Sequence, residues 1–153
     1  MSGVQRVEDY MQSDVITIAP SDNAAEAERR FVEHGIGGAP VVSHGRPVGV
    51  LSRTDLLRRL VIDQTLSDMV SDYYRDPGLP VRSELAEVDI KHLQRARVEE
   101  MMSPHVISID ADASVVAAAQ LLRDKNIHRV LVLRNGQLVG LLTAHDLLRV
   151  IAE

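Results

Sequence analysis

The 153-residue sequence has no cysteine, no tryptophan, three tyrosines and one phenylalanine. The lack of cysteine excludes disulfides, thiol nucleophiles, Cys-based zinc sites and iron–sulfur clusters. Few rings are available for stacking. A bound base would therefore have to be held mostly by aliphatic side chains and backbone groups.

Long apolar runs and an excess of positive charge are also missing. No run of 18 apolar residues could span a bilayer, and the N-terminus lacks the features of a signal peptide. Seventeen basic and 22 acidic residues give a net charge of −5, which would repel nucleic acid and anionic membranes. We therefore expect a soluble, cytoplasmic protein with no nucleic-acid duplex and no membrane among its partners.

The sequence does contain an internal duplication. Residues 7–60 align without a gap on residues 98–151, so that Gly49 matches Gly140 and Asp55 matches Asp146. Two copies are too few for a solenoid, so we expect a pair that packs about a pseudo-twofold axis. The predicted division is a first repeat at 1–60, a helical connector at 61–97 and a second repeat at 98–153.

Each copy predicts a strand, a helix, two strands and a final helix, which is an α/β (α+β) unit. The first predicted strand is Val15–Ile18 in the first copy and Val106–Ile109 in the second. The helix that follows should start at Ser21 or Asp22 in the first copy and at Asp112 or Ser114 in the second. It should end at Gly35 and at Asn126, respectively. Hairpin turns are predicted at His44-Gly45 and Asn135-Gly136. The last helix of each copy runs through DLLRRL or DLLRVI.

The connector predicts helix to about Tyr74, a break at Asp76–Pro80 and a second polar helix from about Ser83. Its mixed charges are typical of a solvated helical linker. A partner-binding element is the alternative.

The same short segment ends a strand in both copies. It reads Gly, two apolar residues, Ser52 or Thr143, two variable residues, and Asp55 or Asp146. A hydroxyl and free N–H groups at a helix N-terminus suit a phosphate, and an ionised Asp one turn later suits the hydroxyls of a ribose. The same spacing also predicts a simple capping box, in which the hydroxyl and the acid serve only the helix. The glycine that begins each segment favours a ligand site, because the backbone can approach a ligand closely there.

This combination resembles the cystathionine-β-synthase (CBS) domain, and the tandem copies resemble a CBS pair, or Bateman module. The marks of the resemblance are the duplicated pattern, GIGGAPVV before the first hairpin, and the two Gly-x-x-[Ser/Thr]-x-x-Asp segments. The resemblance implies an adenosine-containing ligand (AMP, ADP, ATP or S-adenosylmethionine) in the cleft between the repeats, with regulation rather than catalysis and no required cofactor. It implies phosphate contacts at Ser52 and Thr143 and ribose contacts at Asp55 and Asp146. The other implied ligand residues are Thr17, Gly38, Ala39, Pro40, Arg53, Ser108, His128, Arg129, Val130, Leu131 and His145.

The copies differ in charge at one point. His128-Arg129 stands in the second copy where the first has Gly37-Gly38. Arg129 offers a planar, permanently charged fork for phosphate, so the second site should bind phosphorylated ligands more tightly. A solvated edge charge that pairs with a nearby acid is the alternative interpretation of Arg129.

We therefore expect a stand-alone sensory module that signals to an effector protein in trans and forms a homodimer. The dimer is expected because Leu56, Leu57, Leu147 and Leu148 make more apolar helix surface than one chain should bury. A ligand-free dimerisation or scaffold module is the alternative function. A small hydrolase that uses Asp and His side chains is a third.

Overall fold

The structure is a computed structural model that describes residues 3–56, 72–75 and 93–152. The chain divides into two compact units. The C-terminal unit combines the residues up to Val15 with those from Ile107 onward, and the central unit contains the residues between, from Ile16 to Val106. Both units mix helix and strand, which confirms the predicted α/β (α+β) class.

The central unit is built around one hairpin. Strands β1 and β2 are antiparallel, from the pairing of Gly38 with Ser52 to that of Ser43 with Arg46. Its elements in chain order are α1 (Ala24–His34), β1 (Gly38–Ser43), β2 (Arg46–Ser52), α2 (Asp72–Arg75) and α3 (Val98–Met101). The backbone is also helical at 53–56. Phe31 of α1 and Leu51 of β2 are fully buried in the core of this unit.

The C-terminal unit contains a three-stranded sheet in the order β3-β4-β5. Strand β3 is parallel to β4, and β4 is antiparallel to β5. Its elements in chain order are a 3₁₀ turn (Val7–Asp9), β3 (Ser108–Asp110), α4 (Val115–Lys125), β4 (Arg129–Arg134), β5 (Gln137–Thr143) and α5 (Ala144–Ala152).

The predicted helix ends and hairpin turns are confirmed. Helices α1 and α4 stop at Gly35 (φ +65°) and Asn126 (φ +53°), both in the left-handed conformation that ends many helices. The turns at His44-Gly45 and Asn135-Gly136 have positive φ at both residues, as two-residue hairpin turns require. Local chemistry therefore determines where these elements end.

The predicted start of the first helix is wrong by one or two residues. Asn23 is the N-cap of α1, and its side-chain oxygen accepts hydrogen bonds from the N–H groups of Ala25 (2.9 Å) and Glu26 (3.3 Å). Asp22 instead accepts a hydrogen bond from the N–H of Ala19 at 2.8 Å. In the second copy the prediction is confirmed, because Ser114 caps α4.

The first predicted strand differs between the copies. The second copy forms β3, whereas the first has a single parallel bridge between Ile18 and Val41. In the second copy the N–H of Ala111 donates to the Leu133 carbonyl at 2.9 Å. Pro20 stands at the equivalent position of the first copy and has no N–H, so the ladder cannot continue there.

Short segments are exchanged between the two sequence copies. Gln12, which precedes the first copy's hairpin, forms an antiparallel bridge with Leu141, and Ser103 forms the equivalent bridge with Val50. The compact units therefore cut across the sequence repeats. The division at 1–60, 61–97 and 98–153 stays a prediction, as does the pseudo-twofold arrangement of the copies.

The apolar surface predicted at Leu56 and Leu57 falls where the first described range ends. Leu56 is fully buried in the core of the central unit, so its expected place on an exposed apolar surface is wrong. Leu57 lies outside the described residues.

Helix α2 falls within the predicted first helix of the connector. The predicted break at Asp76–Pro80 and the helix start at Ser83 lie outside the described residues.

Candidate functional site

The strand-to-helix turn of the second copy brings several predicted ligand residues together. Arg129, the first residue of β4, pairs across the hairpin with Thr143, the last residue of β5. The carbonyl of His128 accepts the N–H of Ala144 at 2.8 Å, which joins the start of β4 to the start of α5. His128 is exposed and Arg129 is half-buried. The side chains of His128 and Arg129 and the Thr143 hydroxyl therefore lie at one end of this hairpin.

Thr143 and Asp146 make a reciprocal pair of hydrogen bonds. The N–H of Thr143 donates to Oδ2 of Asp146 at 2.9 Å, and the N–H of Asp146 donates to Oγ1 of Thr143 at 3.1 Å. This is the capping box of the alternative interpretation. Asp146 is 7% exposed, and its carboxylate also accepts the side-chain amide of Gln12, at 3.3 Å on Oδ1 and 3.2 Å on Oδ2.

The first copy repeats this turn with different side chains. Gly38 pairs with Ser52 across the β1–β2 hairpin, and the N–H of Arg53 donates to the Gly37 carbonyl at 2.8 Å. Oγ of the buried Ser52 accepts the N–H of Asp55 at 2.9 Å. The backbone frame of the two turns is therefore the same, but glycine stands where the second copy has Arg129.

The side chain of Arg53 is held by a partner that the sequence did not indicate. Its Nε donates to both carboxylate oxygens of Glu28 on α1, at 2.7 and 2.9 Å, and a terminal nitrogen lies 2.5 Å from Oε1. The side chains of Arg53 and Glu28 are 9% and 13% exposed. The ion pair joins the turn after β2 to α1. No pattern within either segment points to it, because the two residues belong to separate elements. His145, its neighbour in the predicted ligand set, is exposed.

Gly49 and Gly140, the first residues of the two segments, also have a structural role beside the ligand approach that we predict for them. A Cβ at Gly49 would lie 2.4 Å from the carbonyl oxygen of Ser103. A Cβ at Gly140 would lie 2.5 Å from Sδ of Met11 and 2.9 Å from the carbonyl oxygen of Gln12. Each glycine therefore makes room for an exchanged segment.

Most of the residues predicted to border an adenine lie on strands, and Thr17 directly precedes the bridge residue Ile18. Ser108 on β3 pairs with Leu131 on β4, and the carbonyl of Thr17 accepts a guanidinium N–H of Arg30 at 3.0 Å. A Cβ at Gly38 would lie 2.5 Å from the Leu51 carbonyl oxygen, so close strand packing already requires glycine there. The other predicted residues at these strands are buried: Ala39, Pro40, Val130 and Leu131.

A cavity of about 780 Å³ lies along α1, and Asn23, Glu28 and Leu93 are among the residues that line it. None of the predicted ligand residues lines this cavity. Within residues 3–56, 72–75 and 93–152, no cluster of three His, Asp or Glu side chains could hold a metal ion. In the same part of the chain, no helix is both long and apolar enough to cross a membrane.

The family model of the CBS domain matches this chain twice, at residues 7–62 and 98–153. The chain belongs to the CBS domain family. The two matches coincide with the internal duplication, and the predicted resemblance to a CBS pair is confirmed.

Curated relatives match nearly the whole of this chain. An uncharacterized protein of Methanopyrus kandleri is 29% identical over 146 residues, which cover 94% of this chain and 61% of that protein. An inosine-5′-monophosphate dehydrogenase of Korarchaeum cryptofilum is 26% identical over 94% of this chain but only 24% of its own length. The chain therefore spans less than two thirds of either relative, and its match to the dehydrogenase covers only a minor part of that enzyme.

Two solved structures with this fold contain ligands. CBSX2 in complex with AMP has a TM-score of 0.67 and 23% identity, and covers 97% of this chain and 96% of its own. A CBS domain pair with 5′-methylthioadenosine and S-adenosyl-L-methionine has a TM-score of 0.66 and 22% identity, with 98% of both chains covered. At these identities the likeness shows the fold: this chain has the architecture of a CBS domain pair.

Proposed function

We propose that this protein is a regulatory module that binds an adenosine-containing ligand such as AMP, ADP or ATP. The observation that carries the proposal is the end of the β4–β5 hairpin. There the half-buried Arg129 stands opposite Thr143, and the buried Asp146 follows one turn into α5. A cation, a hydroxyl and a carboxylate are the groups that a nucleotide's phosphate and ribose need.

Each group has a defined part in the proposed binding. The Thr143 hydroxyl accepts the N–H of Asp146, and its own hydrogen remains available for a phosphate oxygen. Arg129 supplies a planar fork for phosphate, and the exposed His128 adds a further donor. The Asp146 carboxylate accepts the ribose hydroxyls. In the first copy Ser52 and Asp55 take the equivalent parts, with backbone N–H groups where the second copy has Arg129.

The remaining predicted ligand residues belong to the same proposal. They are Thr17, Gly38, Ala39, Pro40, Arg53, Ser108, Val130, Leu131 and His145. AMP in CBSX2, and 5′-methylthioadenosine and S-adenosyl-L-methionine in a further CBS pair, support an adenosine ligand for this fold. S-adenosylmethionine is therefore included among the candidates.

We propose a signalling role without catalysis. The ligand shifts the protein between two arrangements only if it binds them with unequal affinity. The output then passes through a homodimer face or through an effector protein in trans. The match to a dehydrogenase over only 24% of that enzyme supports a regulatory rather than a catalytic role for this part.

One observation favours a second function, a ligand-free dimerisation or scaffold module. The reciprocal hydrogen bonds of Thr143 and Asp146 are those of a helix cap, and a cap needs no ligand. The two functions differ in one measurable property. Only the regulatory module should gain stability when nucleotide is added.

Thermal unfolding of the full chain with added nucleotides tests the proposal. AMP, ADP, ATP and S-adenosylmethionine are compared with GMP and GTP at equal concentration. A ligand at 100 times its Kd stabilises the folded state by about 2.7 kcal/mol, so at least one adenosine ligand should raise Tm by several degrees. Unchanged Tm at millimolar concentrations of every adenosine ligand contradicts the proposal and favours the scaffold.

A further inference from the structure

The side chain of Gln12 lies on the carboxylate that the proposed function assigns to ribose. Its amide nitrogen is 3.3 Å from Oδ1 and 3.2 Å from Oδ2 of Asp146. The backbone of Gln12 is fixed by two hydrogen bonds with Leu141, at 2.8 and 2.9 Å. Met11, the residue before it, packs against Gly140. The contact with Asp146 is therefore made by a side chain whose own backbone is docked on β5.

The acceptor capacity of Asp146 is nearly filled in this arrangement. An ionised carboxylate offers about four lone-pair sites, two on each oxygen. Oδ2 accepts the N–H of Thr143 at 2.9 Å and the amide of Gln12, and Oδ1 accepts the same amide. One site is left, on Oδ1. A ribose diol that donates one hydrogen bond to each oxygen needs a site on Oδ2 as well, so it requires the Gln12 amide to leave.

The equivalent contact is missing in the first copy. Ser103 holds the position of Gln12 and forms the same backbone bridge, with Val50. Its side chain is two bonds shorter than that of glutamine. Ser103 is 7% exposed, and among the described residues its Oγ has no hydrogen-bond partner, so it does not reach Asp55.

We propose that Gln12 is a competitive latch on the Asp146 site. Its amide occupies the acceptors that a ribose diol uses, so ligand binds at Asp146 only when the Gln12 side chain is displaced. Ser103, the equivalent residue at the first copy's hairpin, makes no such contact. The latch therefore lowers ribose affinity at Asp146, in opposition to the gain in phosphate affinity from Arg129.

The inference rests on the proposed function, and its test is a double-mutant cycle read by titration calorimetry with AMP. The variants are Gln12→Ser, which copies the residue of the other repeat, Asp146→Ala, and the two combined. Because Gln12 is exposed to water, loss of its competing hydrogen bond should tighten AMP binding by only roughly three- to tenfold in Gln12→Ser. The gain should vanish when Asp146 is also replaced. Circular dichroism and Tm establish that each variant folds, and Gln12→Ala repeats the test if Gln12→Ser does not.

A matched ligand separates competition for ribose from a structural effect. With 2′,3′-dideoxyadenosine 5′-monophosphate, which has no diol, Gln12→Ser should leave affinity unchanged. Equal or weaker AMP binding in Gln12→Ser, or the same gain for the dideoxy ligand, overturns the latch while the proposed function stands. If neither the wild-type protein nor any variant binds AMP, ADP, ATP or S-adenosylmethionine, the proposed function and the latch both fall.

Discussion

The backbones of Gln12 and Leu141 pair as an antiparallel bridge, with hydrogen bonds of 2.8 and 2.9 Å. Ser103 and Val50 form the equivalent bridge, with both hydrogen bonds at 2.9 Å. Each bridge adds a segment from one sequence copy to the hairpin of the other. A glycine next to each bridge, Gly140 or Gly49, leaves space for the incoming segment. The exchanged segments therefore pack directly against the hairpin of each unit.

Alanine at either glycine should destabilise the protein. The Cβ of Gly49→Ala would lie 2.4 Å from a backbone oxygen, that of Ser103, so the chain must shift. The nearest atom to the Cβ of Gly140→Ala is Sδ of Met11, which can move more easily. We expect losses of about 1–3 kcal/mol in the free energy of unfolding, larger for Gly49→Ala, in urea denaturation. Gly3→Ala is the control, since its Cβ would meet nothing within 4 Å. Equal stability of all three variants would disprove the packing role.

Breaking the ion pair between Arg53 and Glu28 should lower the free energy of unfolding far more than breaking a surface ion pair. Glu28→Gln leaves a nearly buried guanidinium without this carboxylate, and breaking such a pair costs roughly 3–5 kcal/mol. The matched control is Glu26→Gln, which removes the carboxylate that pairs with Arg29 on the same helix. Both side chains of that pair are 60% exposed, so the change should cost less than about 0.5 kcal/mol. Urea denaturation of both variants measures the difference, and similar losses in the two would refute the assignment.

Arg129 should recognise phosphate rather than adenosine. Loss of a charge-assisted contact is worth about 1.5–3 kcal/mol, so Arg129→Ala should weaken AMP binding roughly ten- to a hundredfold. Adenosine affinity should change little, because adenosine has no phosphate. Titration calorimetry of the variant with both ligands makes the comparison. Equal losses for AMP and adenosine, or none, would support a solvated edge charge instead.

The expected homodimer now depends on α5 rather than on Leu56. Leu148 is 56% exposed and Ile151 is 83% exposed, so apolar surface remains on this helix. Light scattering at tens of micromolar protein should give a mass near twice the 16.9 kDa of the chain. Replacing Leu148 and Ile151 together by Glu should shift the mass to that of one chain. A wild-type mass of one chain would rule the dimer out at these concentrations.

The sequence predicted the features that depend on local chemistry. Left-handed stops at Gly35 and Asn126 follow from what a helix C-terminus requires, and Asn135-Gly136 is a strong hairpin signal. Internal alignment also showed that the copies share one frame. The turns after β2 and β5 accordingly have equivalent backbone hydrogen bonds, from Arg53 to Gly37 and from Ala144 to His128.

Contacts between distant residues could not be predicted in this way. Nothing near Gly140 in the sequence indicates that Met11 and Gln12 lie against it, and nothing near Arg53 indicates Glu28. Pro20 is an intermediate case. Proline has no N–H, whereas Ala111 at the equivalent position of the second copy donates one, so the sequence does contain a signal for the shortened first strand.

The central claim is tested most directly by titration of AMP into two proteins. One is the wild-type protein, and the other is the variant with both Asp55→Ala and Asp146→Ala. A carboxylate that binds ribose contributes charge-assisted hydrogen bonds, so the wild-type protein should give a saturable heat and the double variant should bind at least about tenfold more weakly. Loss of the caps lowers Tm by an amount measured separately, and the titration is run where circular dichroism shows both proteins folded. A folded double variant that binds AMP as tightly as the wild-type protein would contradict the account.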